Sequence, residues 1–111
     1  MPITCTIADR IAEIVFDVPP VNAFDSETWM SLPGIISDAG RNPEVNCILI
    51  RAEGRGFCGG VDIKEMQAHP DRITILNRGN YLTFKAIRDA EVPVVSAVHK
   101  FVIGGGIGIC G

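Results

Sequence analysis

Two apolar runs in this chain each empty into a glycine-rich bend. Val45 to Arg51 precedes Arg55-Gly56-Phe57-Cys58-Gly59-Gly60-Val61-Asp62, and Val92 to Val98 precedes Gly104-Gly105-Gly106. The first run is nearly all apolar, so it reads as a strand buried on both faces. Asp62 is placed to cap a short helix through Gln67. A glycine bend between strand and helix leaves backbone N–H groups unpaired at the helix start. Two such bends, each giving one N–H to a single oxygen, would make an oxyanion hole. Spacing alone leaves an ordinary strand-to-helix turn open at Gly59-Gly60.

The remaining segments place these bends in an α/β chain. Ile3 to Ala8 and Arg10 to Asp17 alternate apolar and polar residues around Asp9-Arg10, which predicts a β-hairpin with Ile11, Ile14 and Phe16 inward. Pro19-Pro20 breaks the strand, and Val21-Asn22-Ala23-Phe24 is a short extended segment. Asp25 is a helix N-cap, and the helix from Ser26 to about Ala39 is expected to kink or split at Pro33-Gly34. His69-Pro70-Asp71 separates two helices, and Ile73, Leu76, Phe84 and Ile87 recur at near-helical spacing up to Asp89. The order is hairpin, helix, strand, helix, helix, strand and glycine turn. One small domain spans residues 1–111, and no internal sequence repeat is evident.

Composition closes off several functions. With 47% hydrophobic and 21% charged residues the chain is globular rather than disordered. A net charge of -3 gives no electrostatic footprint for nucleic acid. No apolar run is long enough to span a membrane, and no signal peptide is evident. Cys5, Cys47, Cys58 and Cys110 show neither CxxC pairing nor metal spacing, so they read as reduced thiols of a cytoplasmic protein without a metal site. The chain stops at Cys110-Gly111 as a helix begins, which reads as a truncated chain. Gly106-Ile107-Gly108-Ile109-Cys110-Gly111 matches G-x-G-x-x-G and leaves a dinucleotide-binding module open. That fingerprint needs an acidic residue about 20 positions further on.

Phe57-Cys58-Gly59-Gly60-Val61-Asp62-Ile63-Lys64-Glu65-Met66 resembles the signature of the crotonase superfamily, the enoyl-CoA hydratase/isomerase family. Val21-Asn22-Ala23-Phe24 is similar to its Asn-Ala-Leu segment. Val92 to Val98 followed by Gly104-Gly105-Gly106 resembles its second signature. The resemblance implies the N-terminal portion of a ββα spiral that binds an acyl-CoA thioester. By position, the backbone N–H groups of Gly59 and Gly105 would hold the thioester oxygen. Gly59, Gly60, Val61, Asp62 and Gly105 would contact the substrate. Coenzyme A enters as part of that substrate, with no separate cofactor. Trimers or hexamers are typical of the full-length family.

Two departures qualify the implied reaction. The position of the hydratase glutamate, three residues after Gly105, is Gly108, and a second glutamate would fall beyond Gly111. The turn before the glycine run is His99-Lys100, where the family has Asn-Gly or Asp-Gly. Gly59 to Gln67 with Gly104 to Ile109 resembles an actinobacterial branch that includes an acyl-CoA hydrolase of sterol degradation, which opens a ring. The implied functions are an acyl-CoA enzyme of hydratase or C–C hydrolase type, or a non-catalytic remnant of one. Asp62, Glu65 and His99 are candidates for acid–base work and Cys58 for a nucleophile. Against these stand a helix cap, an exposed helix face, a surface loop and a thiol with no base nearby in sequence. Lys64 and Arg55 are candidates for the CoA phosphates, or else solvated charges.

Overall fold

The computed structural model describes residues 2–111. The hairpin forms as the alternation predicts. β1 (Ile3–Ala8) and β2 (Ile11–Phe16) pair antiparallel, with Ile3 opposite Phe16. Asp9 and Arg10 both take left-handed backbone, φ 52° and 64°, as a two-residue hairpin turn that follows the strand twist requires. The inward set is Ala12, Ile14 and Phe16, all fully buried, while Ile11 is 41% exposed. Side chains on a strand alternate with period two, so Ile11 cannot share a face with Ile14 and Phe16.

After β2 the chain winds as a spiral in which each turn repeats the same parts. The first turn runs from β2 through β3 (Ala23–Phe24) to α1 (Ser26–Arg41). The second runs from β4 (Cys47–Ala52) through β5 (Gly60–Val61) to α2 (Ile63–Ala68), a 3-10 turn at Pro70–Arg72 and α3 (Ile73–Arg88). The third runs from β6 (Val94–Ser96) through residues 101–104 to α4 (Gly105–Cys110). β2, β4 and β6 lie parallel in one sheet of order β1-β2-β4-β6. The middle segments stack in a second layer, with β3 parallel to β5 and Cys58 bridged to Val102. The spiral therefore repeats in structure although no repeat is visible in sequence.

The main core lies where one face of the larger sheet meets α1. Ile14, Phe16, Ile48 and Ile50 from the sheet and Trp29, Leu32 and Ile36 from α1 are fully buried. Phe16, Phe24, Phe57 and Trp29 form a chain of edge-on and tilted rings with centroids 4.9 to 5.5 Å apart, a favoured aromatic geometry. β4 alternates instead of being covered on both faces: Ile48, Ile50 and Ala52 are buried, and Cys47, Leu49 and Arg51 are half-buried. Val45 is buried but precedes the strand. The Val92 to Val98 run keeps only Val94–Ser96 in the ladder, at the sheet edge.

α1 is one continuous helix across Pro33, with no break there. Proline deprives the Trp29 carbonyl of its helical N–H. α3 packs against that carbonyl through Gly79, where a Cβ would stand 3.1 Å from Trp29 O and 2.9 Å from Trp29 Cβ. The close approach of a glycine backbone accommodates the altered turn. Asp25 caps α1 as expected, accepting from Thr28 N–H at 2.8 Å. Among the described residues no helix is long and apolar enough to cross a membrane.

Candidate functional site

Asn22 organises the approach to the first glycine bend. It is buried, with φ 54°. Its Oδ1 accepts from Val18 N–H at 2.7 Å, and its Nδ2 donates to the carbonyls of Glu53 and Gly56, each at 2.8 Å. One side chain thus ties the Val18–Val21 loop to the loop that enters Phe57 to Asp62. Gly59 then comes so close that a Cβ would stand 2.6 Å from Val21 O. This steric need explains glycine at position 59.

The N–H of Gly59 is spoken for. It donates to Asn22 O at 2.8 Å, so the expected role of Gly59 as an oxyanion donor is corrected. The next residues turn a different amide outward. Gly60 takes φ 86°, and a Cβ there would lie 3.0 Å from Ile103 O. Its own carbonyl accepts from the Trp29 indole at 3.3 Å. Phe24 is paired with Val61, and Phe24 O accepts from Asp62 N–H at 2.9 Å. In a parallel ladder the residue that bonds does so to the two neighbours of its partner. Phe24 therefore bonds around Val61, and the Val61 N–H faces away from β3. On that side lies the segment 101–104, held by Ile103 N–H to Cys58 O at 3.0 Å.

The second glycine turn meets the first at this point. Gly104 takes φ 56°, and a Cβ on it would lie 3.8 Å from Gly60 Cα. Gly105 is the first residue of α4, so its N–H belongs to the donors a helix cannot pair internally. A Cβ at Gly106 would stand 2.7 Å from Cys58 Cβ, and one at Gly105 would overlap Asn80 Oδ1. Lys100 adopts φ 62° without the help of glycine, so the turn before Gly104 forms despite its departure from the family pattern. On adjoining turns, then, the Val61 N–H is turned away from β3 and the Gly105 N–H has no partner within α4. On the first bend an open cleft of about 390 Å³ is lined by Val18, Pro19, Val21, Gly59, Val61 and Lys64, with Asp62 at its wall; it takes no lining residue from the second glycine turn.

The side chains proposed for acid–base work have structural tasks. Asp62 caps α2, accepting from Lys64 N–H at 3.0 Å and Glu65 N–H at 3.4 Å. Glu65 is not on an exposed face: its side chain is 12% exposed. It accepts from Ser26 N–H at 2.8 Å and Ser26 Oγ at 3.1 Å, and pairs with Arg72 at 3.3 Å. It therefore holds the start of α1. His99 Nε2 lies 3.0 Å from Gly54 O, a loop-to-loop tie. Cys58 is buried, and that burial pushes its thiol up to about 11, which opposes thiolate chemistry near neutral pH. Arg55 and Lys64 are exposed, and Lys64 lines the cleft.

The G-x-G-x-x-G match does not form a phosphate loop. Gly106 and Gly108 sit inside α4, whereas the fingerprint needs its glycines in the turn before the helix. Two residues were given no role of their own in the sequence, although Asn22 lies in a segment that carries the family resemblance. Asn22 carried a signal, because asparagine tolerates left-handed backbone better than its apolar neighbours. Asn80 interrupts the Leu76–Phe84 stripe at i±4 spacing, a polar residue where an apolar one continues the face.

Residues 6–110 match the family model described as Enoyl-CoA hydratase/isomerase. The chain is 49% identical, over its full length, to a (7aS)-7a-methyl-1,5-dioxo-2,3,5,6,7,7a-hexahydro-1H-indene-carboxyl-CoA hydrolase of Rhodococcus jostii, of which it covers 44%. It is 44% identical to the protein of the same name from Mycobacterium tuberculosis, covering 46% of it. The crystal structure of an enoyl-CoA hydratase/isomerase family protein from Hyphomonas neptunium superposes with a TM-score of 0.87 at 32% identity, over 99% of this chain and 44% of that one. The chain thus spans less than half the length of these relatives and matches their N-terminal part. Fold, motif order and sequence agree, and the chain belongs to the enoyl-CoA hydratase/isomerase family.

Proposed function

We propose that these residues form the acyl-CoA-binding part of an enzyme that activates a thioester through two backbone N–H groups. The donors in this reading are Val61 and Gly105, in place of Gly59 and Gly105. The observation that carries it is the turn of the Val61 amide away from β3, on the side of the segment that leads into Gly104-Gly105. Two fixed donors aimed at one oxygen favour the enolate-like charge that develops next to a thioester, each contributing roughly 3 kcal/mol. Coenzyme A enters as part of the substrate, with Gly59, Gly60, Val61 and Asp62 bordering it and Lys64 near its phosphates.

The similarity to the Rhodococcus hydrolase favours C–C bond hydrolysis of a ring-bearing acyl-CoA over hydration of an enoyl-CoA as the activity of the whole protein. Position 108 supports this, since α4 offers no carboxylate there. A second reading, binding without turnover by residues 1–111 themselves, is favoured by one observation. Asp62 and Glu65, the first two carboxylates after Gly59-Gly60, are both committed to helix starts. The test is infrared difference spectroscopy of butyryl-CoA carrying a 13C-labelled thioester carbonyl. Binding should lower the carbonyl stretching frequency. Binding with an unshifted frequency would refute the two-donor reading. Crotonyl-CoA hydration by the same preparation should be absent.

A further inference from the structure

Gly105 and Gly108 lie three residues apart on α4, and both face α3. A Cβ at Gly105 would overlap Asn80 Oδ1, and one at Gly108 would overlap the Phe84 ring. α3 therefore presents a polar group and an aromatic ring, one helical turn apart, against the glycine face of α4. The Asn80 amide is held in one orientation. Its Nδ2 donates to Leu76 O at 2.8 Å, which leaves Oδ1 toward Gly105. Asn80 is half-buried, and among the described residues no buried side-chain polar atom lacks a partner. Oδ1 accepts no bond from these residues, so it is an accessible acceptor beside a proposed thioester donor.

From this placement we infer that Asn80 is a specificity residue of the thioester site, selecting acyl groups that carry a hydroxyl close to the thioester carbonyl. The inference rests on the acyl-CoA reading above. The thioester oxygen is itself an acceptor and cannot bond to Oδ1. With that oxygen on the Gly105 N–H, Oδ1 lies close to the first carbons of the acyl chain. A donor there, such as a 3-hydroxyl, completes the bond that Oδ1 lacks. An unsubstituted chain leaves Oδ1 to water, or strips it of water without replacement. The Phe84 ring supplies the apolar wall beside it.

The test is calorimetric titration of the chain with CoA, butyryl-CoA and 3-hydroxybutyryl-CoA. Wild type should bind the 3-hydroxy thioester about five-fold tighter than butyryl-CoA, the effect of one added hydrogen bond. Asn80→Leu should level the two affinities, since it removes the Oδ1 acceptor together with the Nδ2 bond to Leu76 O. Asn80→Asp, which keeps an acceptor, should retain the preference. If Asn80→Leu loses the native Trp29 fluorescence, Asn80→Ala is read in its place. Equal binding by wild type, or a preference that survives removal of Oδ1, overturns this inference and leaves the acyl-CoA reading standing. Binding of neither thioester overturns both.

Discussion

Replacing Asn22 should damage this fold more than replacing any residue proposed to touch substrate. Asn22→Ala removes three side-chain hydrogen bonds: one from Val18 N–H, and one each to the carbonyls of Glu53 and Gly56. The Gly56 bond is fully buried, and a buried group left without a partner costs about 1–3 kcal/mol. The two part-buried bonds add roughly 1 kcal/mol each. Alanine at φ 54° adds about 1 kcal/mol of left-handed strain. The sum is about 4–6 kcal/mol, out of roughly 5–15 kcal/mol for a domain of this size. Urea unfolding followed by Trp29, the one tryptophan and fully buried, reads this directly. Asn22→Gly should recover the strain component alone, about 1 kcal/mol relative to alanine. Asn22→Asp keeps the acceptor but sets a charge against two carbonyl oxygens, and should be no better than alanine. A loss below about 1 kcal/mol in Asn22→Ala would refute the accounting, and equal alanine and glycine variants would refute the strain component.

Five further outcomes follow from the same geometry. Gly34→Ala should stabilise by roughly 0.5–1 kcal/mol, because α1 is helical there and a Cβ meets nothing within 4 Å. Gly79→Ala, whose Cβ would stand 2.9 Å from Trp29 Cβ, should cost about 1–3 kcal/mol by overpacking; both are read by thermal melts. Cys58 should destabilise the fold at high pH. Its thiol is raised from 9.0 to about 11, so its contribution is intact below pH 9 and is lost as pH rises through 11. The loss is about 2 kcal/mol by pH 11, and it should vanish from the difference between Cys58→Ala and wild type if burial is not the cause. Glu65→Ala should cost about 1–2 kcal/mol through the lost hold on Ser26, without altering the choice between acyl-CoA ligands in calorimetry. Gly108→Glu should fall by about 1–3 kcal/mol because the Phe84 ring must move, and Phe84→Ala in the same chain should relieve part of that loss; strict additivity of the two would count against the contact.

The elements were readable because their signals are local. Hairpin alternation, the Asp25 and Asp62 caps and the His69-Pro70 break each act within a few residues. Ile11 was misplaced because it is the bulkier of two apolar neighbours, although period two from Ile14 and Phe16 already puts Ala12 on the inward face. Pro33 was misjudged because propensity does not see Gly79, which lies 46 positions later and lets α3 close over the altered turn. The role of Gly59 was readable as a need for glycine but not as a donor. A steric demand and a free N–H give the same residue type in sequence. They separate only when Asn22 O is seen to take the bond.

The spiral itself sets the uncapped start of α4 beside the capped starts of α1 and α2. The three turns place Asp25, Asp62 and Gly104 at equivalent positions, each just before a helix. Asp25 takes the N–H of Thr28, and Asp62 those of Lys64 and Glu65. A side-chain cap of this kind stabilises a helix by about 1 kcal/mol and occupies its first donors. Gly104 makes no side-chain cap, and its backbone, φ 56° and ψ -123°, is one that only glycine adopts readily. The third turn thus gives up a cap and keeps the Gly105 N–H available, while the second keeps its cap and frees an amide by the twist at Gly60. A Gly104→Asp variant tests the idea, since an aspartate there would have to cap α4 against its own backbone strain. If the variant folds and binds butyryl-CoA as wild type does, the Gly105 N–H was never the donor.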